Sequence, residues 1–179
     1  MSKLFAWALL MIVTGLALRA PQPTAVKPSQ HGTVTQQVAN TTITVDYNRP
    51  VARGRDLFGA PPSIVPYDRV WCPGADDCTT ITVSTGVTIE GHALPAGTYT
   101  LWAKPGAAKW TMIVNRAHPT FHTRYASVAD QDLLMLEVTP RAGSHMETLA
   151  FYFPVVNAKH AEVVLHWGTV VVPLAIDVP

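Results

Sequence analysis

The sequence predicts an all-β fold in one domain: an antiparallel β-sandwich of the jelly-roll kind or a partly closed barrel. Many short segments alternate polar residues with apolar or β-branched ones, as half-buried strands do. Turn residues separate these segments about every 8 to 12 residues, a spacing typical of sandwiches and barrels. No segment sustains a helical period, and 179 residues suit a single domain of ordinary size.

The N-terminal segment predicts export from the cytoplasm. Lys3 is followed by an uncharged apolar run from Leu4 to Leu18, which is short for a membrane span of about 20 residues. We therefore expect residues 1–25 to be a signal peptide and residues 26–179 to be a periplasmic or secreted domain. The alternative is an uncleaved anchor, and only through this segment would the protein contact a membrane.

The mature domain is expected to begin with a hairpin. Its strands are Thr33 to Val38 and Thr41 to Tyr47, and Ala39-Asn40 forms the turn between them. The following stretch, Asn48 to Pro66, contains four prolines that cannot donate to a strand ladder. It is therefore expected to be irregular.

The middle of the chain predicts three further strands. Thr79 to Glu90 alternates clearly, and Gly86 within it marks a bulge or a hairpin turn. Thr98 to Lys104 and Lys109 to Asn115 form a second hairpin around a Pro-Gly turn.

A polar loop from Arg116 to Asp132 separates the middle of the chain from the closing strands. Four strands are predicted after it: Leu133 to Thr139, Glu147 to Phe153, Ala161 to Trp167 and Thr169 to Val178. Trp102, Trp110 and Trp167 lie within strands and are expected to pack in the core or on a sheet face, the alternative being a sugar-binding platform. Trp71 could wall a pocket, although core packing is the expectation for it too.

The two cysteines lie close together, with the five residues PGADD between Cys72 and Cys78. In an oxidising compartment such a pair tends to form a disulfide, and Pro73-Gly74 can turn the chain so that the ends approach. Free thiols and a zinc site are the alternatives. A zinc site would need two more ligands, and no second cysteine pair exists.

Several functional classes find no support in the sequence. The formal net charge is +1 and no block of like charge exists, so nucleic acid is not an expected partner. No phosphate-binding loop, nucleophile elbow or metalloprotease helix is present. His118 and His122 have the spacing of a helical metal pair, but Pro119 argues against a helix there. We expect neither a cofactor nor a metal.

Three motifs carry a family resemblance: Y-x-R-P at Tyr47–Pro50, G-R-x-x-F-G at Gly54–Gly59 and L-P-A-G-T-Y at Leu94–Tyr99. With Trp110–Asn115 and Trp167, they make the chain similar to the bacterial family called domain of unknown function 2911. The resemblance covers essentially the whole mature chain. It implies an exported, single-domain, mostly β protein and brings no established reaction, ligand or catalytic set.

The chain departs from the family pattern in the loop from Cys72 to Cys78, here called the cysteine loop. The family usually has Trp-Arg followed by Gly-Ala-Asn-Glu-Ala-Thr-Thr. Here Cys72 stands for the arginine, Cys78 for the second alanine and Asp76 for the asparagine. Two cysteines that replace unrelated residues in one loop favour a bond between them.

The chemistry-bearing residues cluster after the second strand and in later loops. The polar candidates include Arg53 and Asp77. Those predicted to bind a ligand are Arg49, Arg55, Asp76, Asn115, Tyr125 and Glu147. Arginine guanidinium groups grip carboxylates and phosphates bidentately. The first hypothesis is therefore a non-catalytic module that binds a small anionic ligand, a glycan or another envelope component, with Arg49 and Arg55 on the anionic group.

Three other interpretations remain open. In the first, the arginines pair with Asp76, Asp77 or Glu147 and fasten the long loop to the sheet. The second is an envelope hydrolase or isomerase with Glu147 or Asp76 as acid or base, and Tyr125 or an arginine stabilising developing charge. The third is a purely structural envelope protein. Convergence of the candidate residues in one pocket would favour a binding protein or an enzyme.

Overall fold

The computed structural model describes residues 26–179. The predicted signal peptide, residues 1–25, lies outside the described residues. In chain order the strands are β1 (Gln30–Val38), β2 (Thr41–Arg49), β3 (Phe58–Gly59), β4 (Val65–Pro66), β5 (Thr80–Val83), β6 (Val87–Ile89), β7 (His92–Leu94), β8 (Gly97–Lys104), β9 (Trp110–Asn115), β10 (Asp132–Val138), β11 (Arg141–Val156) and β12 (His160–Asp177). Two short 3-10 turns, Tyr125–Ser127 and Ala129–Gln131, lie in the loop before β10.

Two antiparallel sheets make up most of the fold. A six-stranded sheet has the order β1-β2-β5-β8-β9-β10, and a four-stranded sheet has the order β11-β12-β6-β7. The short strands β3 and β4 form a separate parallel pair. The expected all-β class is confirmed, and the sheets are open rather than closed into a barrel. No helix among residues 26–179 has the length and apolar character needed to cross a membrane.

Both sheets contribute to one buried hydrophobic cluster. Val45 and Leu101 come from the six-stranded sheet, and Leu149, Leu165 and Ile176 come from the four-stranded one. Each of these side chains is at most 2 % exposed. Burial of apolar area drives such packing at about 25 cal/mol per Å². The sheets therefore face each other across a shared core, as in a β-sandwich.

The first hairpin follows the prediction. Val38 pairs with Thr41, which leaves Ala39 and Asn40 as a two-residue turn, and Ala39 has a φ of 48°. Two-residue hairpin turns require positive φ because their twist must match that of the flanking strands.

The segment Thr79 to Glu90 behaves differently from the prediction. Its two halves are β5 in the six-stranded sheet and β6 in the four-stranded sheet, and Gly86 lies in the crossing between them. The expected bulge or hairpin at Gly86 is therefore wrong. The crossing is fixed by hydrogen bonds to β2: Thr41 Oγ1 lies 2.6 Å from Thr85 Oγ1, and the Thr42 N–H donates to Ser84 Oγ at 2.8 Å.

The last two predicted strands are one long strand, β12. Gly168 does not end it but lies within it with a φ of +60°. A Cβ at this position would lie 2.7 Å from Leu57 Cδ1, so the strand passes the irregular stretch closely there. This approach brings β12 beside the residues that follow β2.

Candidate functional site

A cleft among residues 26–179, here called the arginine cleft, lies beside the stretch that follows β2. Its volume is about 540 Å³, within the range of roughly 300–1,000 Å³ usual for small-molecule sites. Its lining residues are Pro28 and Ser29; Pro50, Val51, Arg53 and Arg55; Ile64, Val70, Trp71, Gly74 and Ala75; and His122, Thr123 and Trp167. The cleft thus joins the arginine-rich stretch, the cysteine loop and β12.

A tight turn presents the two arginines of the cleft. The backbone N–H of Arg55 donates to the Ala52 carbonyl at 3.2 Å and closes the turn. The two central residues of the turn, Arg53 and Gly54, have φ values of 54° and 67°. Two successive positive φ values are characteristic of a type I′ turn, which favours glycine. The R-G-R sequence therefore places both arginine side chains, exposed, on either side of one turn.

Glu147 on β11 fixes this turn in place. Its carbonyl accepts the Ala52 N–H at 2.8 Å, and its Oε1 accepts the Arg53 N–H at 2.6 Å. Its Oε2 accepts a hydrogen bond from His145 Nε2 at 2.9 Å. The bonds from His145 and from the Arg53 backbone hold the pKa of Glu147 below its usual value. Glu147 therefore positions the turn and does not line the arginine cleft.

The two arginines differ in how they are held. Arg55 donates from Nε to the Ala52 carbonyl at 2.9 Å and from Nη2 to the Val51 carbonyl at 2.7 Å. Within the described part of the chain, neither Arg53 nor Arg55 forms an ion pair. No described residue that lines the arginine cleft carries a carboxylate. Within the described residues, the charge of Arg55 acts on the Glu147 carboxylate from beyond ion-pair distance, and no acid lines the arginine cleft itself.

Stacked tryptophans form the apolar wall of the arginine cleft. The rings of Trp71 and Trp167 lie 6.0 Å apart between centroids and 18° from parallel. Trp167 is only 2 % exposed, and Phe58 meets it and Trp110 edge to face. Trp71 is half-buried and pairs through its backbone with Ala103 of β8. Trp71 thus packs against the core and also walls the cleft.

The cysteine loop supplies another wall. Cys72 and Cys78 are bonded to each other, with their Cα atoms 5.8 Å apart, so the predicted disulfide is confirmed. Asn48 Nδ2 donates to the Ala75 carbonyl at 2.8 Å. A Cβ at Gly74 would lie 2.9 Å from the Thr79 hydroxyl and 3.2 Å from the Asn48 carbonyl. The loop is therefore packed tightly against β2 where it borders the cleft.

Asp76 is not among the residues that line the arginine cleft. Its φ is 59°, a conformation that Asp and Asn adopt more readily than most residues. Its Oδ2 lies 3.8 Å from Lys27 Nζ, and the Asp77 carboxylate lies at the same distance from that nitrogen. Exposed pairs of this kind contribute about 0–1 kcal/mol. Its carbonyl accepts the His122 N–H at 2.9 Å, so Asp76 places a cleft residue without lining the cleft.

Arg49 does not reach the arginine cleft. Its Nε donates to the Leu149 carbonyl at 3.2 Å and links the end of β2 to β11. Its side chain also packs on Gly32, where a Cβ would lie 2.8 Å from Arg49 Cδ. Arg49 therefore fastens the two sheets together through a backbone carbonyl.

Asn115 and Tyr125 belong to a separate, partly buried network. Asn115 Nδ2 donates to Asp132 Oδ1 and to the Val128 carbonyl, each at 2.7 Å. The Tyr125 hydroxyl donates to Asp132 Oδ2 at 2.6 Å, and burial together with this contact raises the pKa of Tyr125 well above its usual range. These groups satisfy one another and anchor the loop between β9 and β10. They line none of the clefts described for residues 26–179.

Of the predicted ligand-binding residues, only Arg55 lines the arginine cleft. Glu147 and Asp76 bond to residues of the cleft without lining it. Convergence of Arg49, Arg55, Asp76, Tyr125 and Glu147 in one pocket would have favoured a binding protein or an enzyme, and among these five only Arg55 lines a described cleft. His122 and Trp167 were missed as cleft residues, and Arg53 was considered only as a polar candidate. The glycine between Arg53 and Arg55 is the local signal that would have indicated a turn presenting both. No three His, Cys, Asp or Glu side chains within residues 26–179 are grouped to hold a metal ion.

A family model described as "Protein of unknown function (DUF2911)" matches residues 29–176. The chain belongs to this family. The predicted resemblance is thereby confirmed, and the match spans every residue that lines the arginine cleft except Pro28. No curated protein and no solved structure matches the chain.

Two of the three motifs that carry the DUF2911 resemblance contribute residues to the arginine cleft. G-R-x-x-F-G contributes the turn glycine Gly54, the cleft arginine Arg55 and Phe58, which packs on the tryptophans. Y-x-R-P ends at Pro50, which lines the cleft where β2 stops. These two motifs therefore meet at the arginine cleft, whereas L-P-A-G-T-Y supplies none of its lining residues.

Proposed function

We propose that this DUF2911 protein is an exported binding protein that takes a small anionic ligand in the arginine cleft and does not convert it chemically. The observation that carries the proposal is the pair Arg53 and Arg55. Both guanidinium groups are exposed on one fixed turn, and neither has a carboxylate partner among the described residues.

The cleft chemistry suits a carboxylate or phosphate. A planar guanidinium presents five N–H donors in a fork that matches these anions. Arg55 uses two of its donors on backbone carbonyls and keeps the others free for a ligand. His122 adds a further polar side chain, and the half-buried Trp71 offers a flat apolar surface. A ligand with an anionic group and a ring fits this arrangement.

Export is supported by two features of the sequence. The basic and apolar character of residues 1–25 suits a signal peptide. The disulfide between Cys72 and Cys78 suits an oxidising compartment, where such bonds persist. A periplasmic or secreted location would bring the arginine cleft into contact with envelope metabolites and glycans.

The carboxylates of Glu147 and Asp76 already have partners within the protein, and this favours binding without catalysis. Both carboxylate oxygens of Glu147 already accept hydrogen bonds. Asp76 pairs with Lys27. Neither carboxylate lines the arginine cleft, so neither is placed to act as acid or base on a ligand held there.

A thermal-shift screen of the purified protein tests the proposal. The panel contains sugar acids, organic acids, phosphates, peptidoglycan fragments and neutral sugars. We expect anionic members alone to raise Tm in proportion to binding. The rise should shrink in Arg53→Ala and vanish in the double variant Arg53→Ala/Arg55→Ala. Arg116→Ala, which removes the same charge from an exposed position outside the cleft, should behave as wild type.

Two results would overturn the proposed function. One is a panel in which no anion raises Tm. The other is a rise that persists in the double variant while circular dichroism shows that the variant is folded.

A further inference from the structure

A second cleft, of about 260 Å³, borders the arginine cleft. Arg55 and Trp167 line both clefts. Hydrogen bonds to the Ala52 and Val51 carbonyls hold the Arg55 side chain in place where the two clefts meet. A ligand longer than one ring could therefore pass Arg55 and occupy both spaces.

The two clefts differ in charge. The lining of the arginine cleft includes Arg53, Arg55 and His122 and, among the described residues, no acid. The second cleft includes the carboxylate of Asp56, together with His145 and Thr169. A second anionic group would be repelled by Asp56, whereas hydroxyl groups could donate to it. The arrangement suits a ligand that is acidic at one end and neutral and hydroxylated at the other.

Each cleft also has an aromatic side chain at its surface. Trp71 walls the arginine cleft, and Tyr67, which is 37 % exposed, lines the second cleft. The C–H faces of a sugar ring are apolar and pack on flat aromatic surfaces, while the ring hydroxyls both donate and accept hydrogen bonds. His145 is held by Glu147, so this polar side chain of the second cleft is oriented in advance.

Building on the proposed function, we propose that the ligand is an acidic oligosaccharide of at least two sugar units. A uronic acid lies in the arginine cleft with its carboxylate on Arg53 and Arg55. The neighbouring neutral sugar lies in the second cleft against Tyr67, with a hydroxyl directed at Asp56. The linkage between the two sugars passes Arg55.

Isothermal titration calorimetry with three probes tests this inference. The probes are glucuronic acid, N-acetylglucosamine and the disaccharide in which glucuronic acid is linked to N-acetylglucosamine. We expect the disaccharide to bind at least about tenfold more tightly than glucuronic acid, a difference that reports the added contacts of the second sugar. N-acetylglucosamine alone should give no measurable heat.

Variants assign the gain to the second cleft. Tyr67→Ala should remove the advantage of the disaccharide and leave glucuronic acid binding unchanged, because Tyr67 does not line the arginine cleft. Arg53→Ala should weaken the binding of both glucuronic acid and the disaccharide. Tyr152→Ala, which changes a tyrosine on β11 that lines neither cleft, is the matched control.

The outcomes separate the inference from the proposed function. Equal affinity for glucuronic acid and the disaccharide would overturn the inference and leave the proposed function standing. The inference would also fail, and the proposed function would stand, if another anion of the panel bound through Arg53 while neither glucuronic acid nor the disaccharide bound. Failure of every anion to bind would overturn both.

Discussion

The carboxylate of Glu147 accepts the backbone N–H of Arg53 at 2.6 Å, across 94 positions of the sequence. The same residue accepts the Ala52 N–H through its carbonyl. One residue of the four-stranded sheet thus fixes both the path and the orientation of the turn that carries the cleft arginines. The position of the two positive charges is therefore set by long-range contacts and not by the loop alone.

Replacing Glu147 should weaken ligand binding although the residue does not line the arginine cleft. In Glu147→Ala the Arg53 N–H loses its acceptor and His145 loses its partner, so the turn becomes less fixed. Glu147→Gln keeps an amide oxygen for the Arg53 N–H and should retain more of the affinity. Affinities measured by calorimetry for the two variants, with Glu137→Ala as a control on β10, check this order. An unaltered affinity in folded Glu147→Ala would refute the positioning role.

The lowered pKa of Glu147 also predicts a pH dependence. A carboxyl whose folded pKa lies below its unfolded value stabilises the fold above the unfolded pKa, here 4.5, and this contribution is lost as the pH falls through the folded pKa. The groups that lower it are His145, the Arg53 N–H and Arg55. The Tm of wild type should therefore exceed that of Glu147→Gln near pH 7, and the difference should shrink as the pH falls below 4.5. A difference that is constant with pH would contradict this assignment.

Removing the disulfide should lower stability and loosen one wall of the arginine cleft. Closing the loop between Cys72 and Cys78 contributes about 2 kcal/mol in the chain-entropy model. Gly74 and Ala75, within this loop, line the cleft. The double variant Cys72→Ala/Cys78→Ala should melt at a lower temperature and bind ligand more weakly. Reductant should also lower the Tm of wild type, whereas an unchanged melting curve together with two reactive thiols in the native protein would refute the bond.

Gly54 should not tolerate an ordinary side chain. Nothing lies within 4 Å of a Cβ built there, so a substitution meets no steric clash and tests only its φ of +67°. A left-handed conformation costs an L-residue about 1–2 kcal/mol. Gly54→Ala should therefore lower Tm and weaken ligand binding, and Gly54→Asn should lose less because asparagine adopts this conformation more readily. Equal effects in the two variants would show that strain in the turn is not the cause.

The local parts of the fold could be predicted and the long-range parts could not. The hairpin of β1 and β2 follows from alternation and a two-residue turn, which are both local. The assignment of β6 to the other sheet does not, because a period of two is the same in either sheet. Within β12, Gly168 lies where Leu57 approaches the strand closely, and the sequence pattern does not reveal that contact.

The candidate site likewise contains features that the sequence could predict and others that depend on long-range contacts. Arg55 and the disulfide could be predicted from residue chemistry and spacing. Asn115 and Tyr125 were predicted to bind a ligand, and their shared partner, Asp132, is recognisable only in the folded loop. Trp167 enters the arginine cleft from β12, more than a hundred residues along the chain from Arg53, and no local pattern marks that contact.

The most direct test of the arginine cleft is a nuclear magnetic resonance titration of the protein that follows the arginine Nε–H and tryptophan indole N–H signals. Glucuronic acid, citrate and inorganic phosphate serve as probes. We expect the signals of Arg53, Arg55 and Trp71 to move saturably with at least one probe, while that of Arg116 stays in place. Signals of the cleft residues that do not move with any probe, or that move no more than the Arg116 signal, would contradict the account.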